Sequence, residues 1–169
     1  TTLLPIFPTL AENPRFATHP DCQDSLPQTL GYYQVIGFNQ PWICYYAEKD
    51  GTLVGTCAFK GAPQNGRVEV AYATFPPFQR QGVATAMCRA LVQLAQQADP
   101  TVLITARTLP ERNFSSRVLE KNGFVLAGPV EDPEDGTVWE WFYNDRSAPS
   151  LSAPRYVLAV KDLERSVRY

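Results

Sequence analysis

The chain has 169 residues, of which 44% are hydrophobic and 12% aromatic, so it can bury one good core and scarcely two. A net charge of -2 and a pI near 5.4 argue against a nucleic-acid-binding surface. No apolar run of about 18 residues is present to span a bilayer, and the N-terminus lacks the basic and apolar regions of a secretory signal. We therefore expect a cytoplasmic protein with neither a nucleic-acid nor a membrane partner.

The first third of the chain predicts an edge strand, a helix and the start of a sheet. Residues 3–8 (LLPIFP) read as a short strand that its prolines restrict to a sheet edge. Apolar residues at helical spacing predict a helix over 24–38, capped by Asp24 or Ser25. Residues 42–75 carry β-rich runs interrupted by two Gly-containing turns, which is typical of a three-strand antiparallel meander.

Helices and strands alternate in the second half of the chain. A helix is predicted from Gly82 to about Asp99, and a β-branched strand follows at 101–108. The two strands joined by this crossover helix should lie parallel. Residues 111–123 predict a further helix with Phe114, Val118 and Leu119 turned inward, and a closing hairpin occupies 124–144. The pattern predicts a mixed α/β (α+β) domain over residues 1–144.

The cysteines give no sign of a disulfide framework. They are far apart in the sequence, no C-x-x-C pair occurs, and His19 is the only histidine. Metal sites and disulfides normally need closer or repeated spacing, so we expect no metal. Reduced core thiols are the expected state of all four cysteines: Cys22, Cys44, Cys57 and Cys88.

The stretch TFPPFQRQGVATAMCRAL (74–91) combines a broken strand with an anion-binding helix start. Gly82 and Ala84 have little or no side chain, so a bulky ligand can approach the backbone. The amides from Gln81 to Thr85 are orphan donors at the positive end of a helix, an arrangement that cradles phosphate. Two prolines just before them end the strand's hydrogen-bonded ladder, so the strand should part from its neighbour and offer peptide groups to an extended, amide-bearing ligand.

Pyrophosphate at a helix start joined to an amide-bearing arm between two strands describes coenzyme A. The segments VEVAYATFPPFQRQGVATAMCRALVQLA and ITARTLPERNFSSRVLEKNGFV resemble those of the acyl-CoA-dependent N-acyltransferases of the GNAT superfamily. They are most similar to the branch that includes ribosomal-protein N-terminal acetyltransferases, over roughly residues 40–143. The resemblance implies a GNAT fold, with a mixed and mostly antiparallel central sheet, two splayed parallel strands and flanking helices, and acetyl-CoA as cosubstrate.

The resemblance also implies cofactor-binding residues. Gln79, Gly82 and Ala84 match the family's pyrophosphate loop, and Thr74 and Phe75 fall where family members pair their backbone with the pantetheine arm. Further backbone contacts to the pyrophosphate are expected from the neighbouring residues Arg80, Gln81, Val83 and Thr85. Basic residues near the second motif are candidates for the 3'-phosphate: Arg107, Arg112, Arg117 and Lys121.

The catalytic residues are less clearly marked. Asn113 matches an asparagine that touches the pantetheine arm, and Ser116 matches a serine that some members place near the sulfur. Many members carry a tyrosine acid where this chain has Leu119, so Ser116, a water or no acid must serve. Glu69 is the candidate base for the incoming ammonium, a solvent-facing strand glutamate being the alternative. A backbone donor at 74–75 would polarise the thioester carbonyl.

The acceptor side is the least recognisable part of the chain. Tyr32, Tyr33 and His19 either shape this side or simply pack in the core, which is commoner for aromatic residues at helical spacing. The acidic turn at 131–136 either attracts a cationic acceptor or is a solvated hairpin turn. We expect an N-acetyltransferase acting on a peptide N-terminus or a small amine by direct attack, the alternative being an acyl-CoA-binding regulatory module without turnover.

The C-terminal segment differs in composition from the rest. Residues 145–154 have the Ser, Pro and Ala content of a linker, and 155–169 read as a strand and a helix start. From residue 154 onward the chain resembles the opening of the vicinal oxygen chelate (glyoxalase I-like) family, which implies a truncated second domain. A native C-terminal extension is the alternative. Its apolar strand should pair with an edge of this domain or of a second copy, so a homodimer is one alternative.

Overall fold

The computed structural model describes residues 1–144, which form one seven-stranded sheet with flanking helices. The strands are β1 (Thr2–Pro5), β2 (Cys44–Lys49), β3 (Thr52–Phe59), β4 (Arg67–Thr74), β5 (Leu103–Thr108), β6 (Phe124–Asp132) and β7 (Gly136–Tyr143). The helices are α1 (Pro14–Ala17), α2 (Ser25–Ile36), α3 (Val83–Ala98) and α4 (Phe114–Lys121). The predicted linker at 145–154 and the segment at 155–169 lie outside the described residues.

The sheet has the strand order β1-β2-β3-β4-β5-β7-β6. Every neighbouring pair is antiparallel except β4 and β5, which are parallel and joined by α3. The predicted mixed, mostly antiparallel fold class is therefore confirmed, as are the edge strand and the meander. The sequence did not predict that β7 lies between β5 and β6. After β5, the connection through α4 leaves one strand position between β5 and β6. The β6–β7 hairpin then places β7 in that position.

Two tight turns hold the meander together, both where the sequence predicted them. Asp50 and Gly51 connect β2 to β3 with φ angles of 52° and 81°. Asn65 and Gly66 lie before β4 with φ angles of 54° and 74°. Two successive left-handed residues match the twist of a hairpin, and Asn, Asp and Gly tolerate that conformation at the least cost.

Helix α3 buries one face against β3 and β4. Its apolar residues recur at helical spacing, and four of them are fully buried: Met87, Cys88, Leu91 and Ala95. In α4, Val118 and Leu119 are buried as predicted, but Phe114 is 46% exposed, so its predicted inward orientation is wrong. Phe114 is the first residue of α4 and borders an open cleft, where no neighbouring element covers the ring.

The two faces of β4 carry different chemistry. Gly55 of β3 meets Met87 of α3 and pairs with Thr74, so the even-numbered side chains of β4 face α3. Successive residues of a strand point to opposite faces, which turns Glu69 and Ala71 toward the other side of the sheet. The sheet therefore separates a helix α3 side from a side that Glu69 faces.

Three properties of the described residues bear on the expectations from composition. The four cysteines are free and buried, as predicted for core thiols. Within residues 1–144, no helix has both the length and the apolar character needed to cross a bilayer. The same range contains no group of three or more metal-ligating side chains arranged to hold an ion.

Candidate active site

A gap opens in the sheet between β4 and β5. The two strands pair only from Arg67–Glu69 to Leu103–Thr105, whereas β4 stays paired with β3 as far as Thr74. The sequence attributed this separation to the prolines after the strand. The structure corrects that cause, because the strands part well before Pro76: β4 follows β3, and β5 turns away with β7.

The backbone groups that face this gap belong to alternate residues of β4. The Lys60 amide donates to the Glu69 carbonyl at 2.8 Å, and the Phe75 amide donates to the Val54 carbonyl at 2.9 Å. Odd-numbered residues of β4 therefore bond to β3, and the amides of Tyr72 and Thr74 point toward β5. Because its amide already serves β3, Phe75 cannot supply the backbone donor that the sequence assigned to 74–75.

The loop before α3 has the shape of an anion-binding site. Arg80 and Gly82 adopt left-handed conformations with φ angles of 65° and 79°, and Gly82 is the N-cap residue of α3. Alternation between left- and right-handed residues curls successive amides into a concavity that holds anions. No side chain caps the helix, so its first amides and the positive end of its dipole are directed at this concavity.

A cleft of about 450 Å³ runs from the gap to this loop. It brings together four predicted cofactor-binding residues: Thr74, Gln79, Arg80 and Ala84. Sequence reasoning missed four residues that complete its walls: Tyr72, Ala73, Phe114 and Ser115. Of these, Tyr72 lies in the same strand segment as the predicted residues, and its even spacing from Thr74 could have indicated it.

The other predicted cofactor-binding residues support the loop rather than line the cleft. The Gln81 side chain donates to the Pro77 carbonyl at 3.3 Å, Val83 is buried, and the Thr85 carbonyl accepts a hydrogen bond from Asn122 at 3.2 Å. The sequence predicted that these residues contact the pyrophosphate through their backbone amides, and that contact stays a prediction.

Asn113 and Ser116 form a capping box at the start of α4. The Asn113 side chain accepts from the Ser116 amide at 3.0 Å, while the Ser116 hydroxyl accepts from the Asn113 amide at 2.8 Å. The same hydroxyl donates to the Asn113 carbonyl at 2.8 Å, and Ser116 is fully buried. Its proton is thus committed to the helix cap, which makes a role as acid costly. The cleft wall carries the phenolic hydroxyl of Tyr72, which donates to the Ser115 carbonyl at 3.5 Å.

A second, larger cavity lies on the side of the sheet that Glu69 faces. It measures about 550 Å³ and is lined by α2, the strands and the β6–β7 turn: Ser25, Gln28, Thr29, Tyr32, Cys44, Thr56, Ala58, Lys60, Glu69, Ala71 and Glu134. A smaller cavity of about 190 Å³ shares Tyr72 and Ala73 with the first cleft, and Thr29 and Ala71 with the second. The three cavities therefore adjoin one another along β4.

Aromatic residues of α2 divide between this cavity and the core. Tyr33 is buried, and its hydroxyl donates to the Ile6 carbonyl at 2.8 Å, which confirms the packing interpretation. Tyr32 instead lines the 550 Å³ cavity. His19 does not pack in the core, because it is half-buried and its Nδ1 accepts from the Asp21 amide at 3.1 Å.

Glu69 lies in the wall of the 550 Å³ cavity with only 11% of its side chain exposed. Its Oε2 is 3.6 Å from the Lys60 ammonium, and it also interacts with the Arg107 guanidinium. The alternative of a solvent-facing strand glutamate does not hold, since the side chain is nearly enclosed. Glu69 is a carboxylate held by two cations beside a cavity that can admit an amine.

The basic residues near the second motif do not act together. Arg107, a candidate for the 3'-phosphate, is buried on the opposite face of the sheet from α4, so that assignment is wrong. Arg112 is exposed and pairs with Glu120 at 2.7 Å. Arg117 lines the 450 Å³ cleft and remains a candidate.

Arg107 instead binds carboxylates from three strands. Its Nη1 donates to Asp132 Oδ2 at 2.9 Å, and its Nε lies 3.5 Å from Glu140 Oε2. Burial lowers the pKa of the Arg107 guanidinium, and hydrogen bonds and charges from Glu69, Glu140 and Asp132 oppose that shift. We call these four residues the Arg107 cluster.

The Arg107 cluster also shapes the acidic turn. Asp132 is buried, and its other oxygen accepts from the amides of Glu134 at 2.8 Å and Asp135 at 3.1 Å. The expectation of a wholly solvated turn is therefore wrong for Asp132. The turn is pinned to β5 through Arg107, and this places Glu134 in the wall of the 550 Å³ cavity.

The exposed ring of Phe114 offers a direct test of the cleft. Phe114→Ala is expected to weaken coenzyme A binding by roughly fivefold, because truncation removes apolar contact worth about 1 kcal/mol. Calorimetry with coenzyme A measures this change. Val35→Ala, an exposed apolar residue of α2, is the matched control and should leave the affinity unchanged. Equal affinities of all three proteins would show that the ligand does not occupy this cleft.

Comparison with known proteins agrees with this architecture. The uncharacterized N-acetyltransferase YjdG of Bacillus subtilis (strain 168) is 34% identical over 92 residues, which are 53% of this chain and 53% of that protein. This chain thus spans about half the length of the curated relative that it matches. Aminoglycoside acetyltransferase AAC(6')-Ib with coenzyme A and kanamycin has a TM-score of 0.63 at 21% identity, covering 86% of this chain and 95% of that chain.

The self immunity acetyltransferase MccE, solved with acetyl-CoA and AMP, has a TM-score of 0.58 at 16% identity and covers 72% of this chain and 69% of that chain. Both structures share the fold described above. A family model described as an acetyltransferase (GNAT) domain matches residues 5–125. Since this match takes in most of the chain, the protein belongs to the GNAT acetyltransferase domain family.

Proposed function

We propose that this protein is an N-acetyltransferase that transfers the acetyl group of acetyl-CoA to a primary amine. One observation carries the proposal: beside the unpaired end of β4, the cleft at the anion-binding loop adjoins the 190 Å³ cavity, and that cavity adjoins the polar 550 Å³ cavity on the other side of the sheet. A thioester lying in the gap would be reachable from both sides of the sheet. The presence of coenzyme A or acetyl-CoA in the two related structures supports this choice of donor.

The cofactor is proposed to bind in three parts. The loop amides from Gln79 to Thr85 hold the pyrophosphate, with Arg80 adding a positive side chain. The Thr74 backbone pairs with the pantetheine amides as an added strand would. Phe114 packs against the apolar part of this arm, and Asn113, the N-cap residue of α4 next to Phe114, is proposed to contact it.

The chemical step is a direct attack of a neutral amine on the thioester. The amine nitrogen forms a bond with the carbonyl carbon, the bond from carbon to sulfur breaks, and the thiolate leaves. The Tyr72 or the Thr74 amide, both of which face the gap, takes the place of the excluded Phe75 donor and polarises the carbonyl oxygen. Glu69 accepts the proton of the incoming ammonium, directly or through water.

The group that protonates the leaving thiolate is the open part of this mechanism. Leu119 is fully buried where many relatives have a tyrosine, and the Ser116 hydroxyl is committed to the helix cap. The Tyr72 hydroxyl at the cleft wall is the better placed side chain, and a water molecule is the simpler donor. The same features favour the second candidate function, an acyl-CoA-binding module without turnover.

The acceptor is proposed to be a polar amine. Four hydroxyl-bearing residues, one amide and three charged residues line the 550 Å³ cavity, with Glu69 and Glu134 as its carboxylates. Glu134 gives a second anchor for an acceptor with more than one positive charge. A peptide N-terminus is the second acceptor class that we propose, because the chain resembles the ribosomal-protein branch.

The decisive experiment is turnover with the full chain. Acetyl-CoA is supplied with a panel of N-terminal peptides, polyamines and aminoglycosides, and both free thiol and acetylated amine are measured. Amine-dependent thiol release, matched by acetylated product, supports the transferase. Thermal stabilisation by coenzyme A with no thiol release from any amine supports the binding module. A protein that coenzyme A does not stabilise would refute both functions.

Glu69→Gln separates the base from the binding site. The variant is expected to lower kcat by roughly a hundredfold, within the usual range for general base catalysis, and to leave coenzyme A affinity unchanged. The pH dependence of kcat/KM and calorimetry measure the two effects. Glu48→Gln is the matched control, because Glu48 is also a strand glutamate with a mostly covered side chain and a basic partner, Arg15 at 2.6 Å. An unaltered pH profile would exclude Glu69 as the base.

A further inference from the structure

Glu140 is a buried carboxyl that the proposed mechanism does not use. It lies in the middle of β7 with no exposed surface, and its contact with a cation is the long one to Arg107, whose Nε lies 3.5 Å from Glu140 Oε2. A buried carboxylate with no closer hydrogen bond is disfavoured, so such a group stays protonated or acts on a neighbouring charge. A valine or threonine at this position would form the strand without the free-energy cost of burying a carboxyl. The presence of Glu140 therefore needs an explanation.

Glu140 and the candidate base share one guanidinium. Glu140 lies opposite Arg107 in the ladder between β5 and β7, and Glu69 lies opposite Thr105 in the ladder between β4 and β5. Thr105 and Arg107 are two residues apart in one strand, so all four side chains project from the same face. Arg107 is thus between the two glutamates, with Glu140 at 3.5 Å.

Three carboxyls of this region act on one buried cation, Arg107. The anions are Glu69 of β4, Asp132 of β6 and Glu140 of β7, and all three act on the buried Arg107. Glu69 has the largest opposing effect on the Arg107 pKa, and Asp132 makes a hydrogen bond to its Nη1 at 2.9 Å. The remaining cations are more exposed: Lys60, 3.6 Å from Glu69, and Arg67, whose charge is felt by Glu140.

The protonation state of Glu140 follows from this arrangement. Burial raises the pKa of Glu140 to about 8, the charges of Arg107 and Arg67 lower it in part, and Glu69 raises it further. At neutral pH the Glu140 carboxyl is therefore uncharged, and the Arg107 guanidinium interacts with the carboxylates of Asp132 and Glu69. Once Glu140 ionises, a third anion competes for the same guanidinium, and the nearby negative charge increases the proton affinity of Glu69.

We propose that Glu140 is a positioning residue that controls, through Arg107, how strongly Glu69 holds a proton and hence the pH range of acetyl transfer. This inference rests on the proposed function for its catalytic consequence. Its physical core, the coupling of two carboxyls through one guanidinium, does not depend on turnover. No atom of Glu140 is required to touch the acceptor.

The coupling is tested by NMR titration of the side-chain carboxyl carbons of the full chain between pH 5 and 10. In the wild type, one glutamate is expected to titrate with a midpoint near 8, and the Glu69 signal should show an inflection at the same pH. Glu140→Gln should remove the midpoint and the Glu69 inflection together. Signals are assigned by the loss of one resonance in Glu69→Gln and another in Glu140→Gln.

Two outcomes overturn the proposal. If no glutamate of the wild type titrates above pH 7, Glu140 is ionised at neutral pH, and the wild-type titration alone refutes the proposal. If Glu69 keeps its inflection in Glu140→Gln, the coupling is absent. Glu131→Gln, in the exposed part of β6, is the matched control and should leave both features in place.

A kinetic readout separates positioning from a merely structural role. Glu140→Gln is expected to remove an inflection near pH 8 from the profile of kcat/KM for the amine, and to leave KM for acetyl-CoA unchanged. A variant that only loosened the sheet would change both constants at every pH. If no amine supports turnover, the proposed function fails, and the NMR titration still decides the coupling.

Discussion

Gly82→Glu is expected to weaken coenzyme A binding by at least about a hundredfold, a loss of roughly 2.7 kcal/mol or more. Gly82 is the N-cap residue of α3, where orphan amides and the helix dipole favour an anion. A glutamate there would bring its own negative charge to the site of the pyrophosphate. Its side chain would extend into the open space in front of the loop, since no atom lies within 4 Å of a β-carbon at Gly82.

The chain provides a closely matched control for this variant. Gly51, in the turn between β2 and β3, has a φ angle of 81° against 79° for Gly82, and a β-carbon there also meets open space. Gly51→Glu therefore causes the same backbone strain away from the cleft and should bind coenzyme A as the wild type does. Gly82→Gln separates bulk from charge and should retain part of the affinity. Equal calorimetric affinities of the two glutamate variants would refute the loop as the phosphate site.

Glu140→Gln is expected to make the protein more stable than the wild type at pH 8, while the two differ little at pH 4. Burial raises the pKa of Glu140 from its usual 4.5 to about 8, so between these values the folded chain holds a proton that the unfolded chain has lost. Wild-type stability therefore falls as pH rises, by about 1.4 kcal/mol per pH unit. Over the whole window the difference from the glutamine variant reaches at most about 5 kcal/mol.

Urea unfolding of both proteins between pH 4 and 9 measures this difference. Other groups titrate over the same range, so the quantity of interest is the variant's free energy of unfolding minus that of the wild type. It should increase up to about pH 8 and then level off. Glu131→Gln, which alters an exposed glutamate of β6, should give a difference independent of pH. A flat difference for Glu140→Gln as well would mean that Glu140 is ionised in the folded protein.

Local signals were enough to predict most elements of the fold. Turns with two left-handed residues, such as Asp50 and Gly51, are recognisable because few residue types tolerate that conformation. The apolar spacing of α3 was equally clear, since it records which side of the helix faces the sheet. Phe114 shows the limit of such patterns: its spacing matches the buried face, but the helix begins beside an open cleft.

The candidate site divides in the same way. The phosphate loop could be predicted because its chemistry resides in consecutive backbone groups, which Gly82 and Ala84 leave accessible. The role of Arg107 could not, because its partners are strands far apart in the sequence. Nothing local distinguishes this buried arginine, held by Asp132 and Glu140, from an exposed one such as Arg112.

By itself, the sequence determined the order of the elements, the parallel step around α3 and the loop that begins that helix, because each depends on residues within one turn or one period of the chain. Only the tertiary structure decided where β7 lies, which amides of β4 face the gap and which carboxyls surround Arg107. Those facts arise from strand register. Register sets which distant side chains become neighbours and share one charge within a low-dielectric interior.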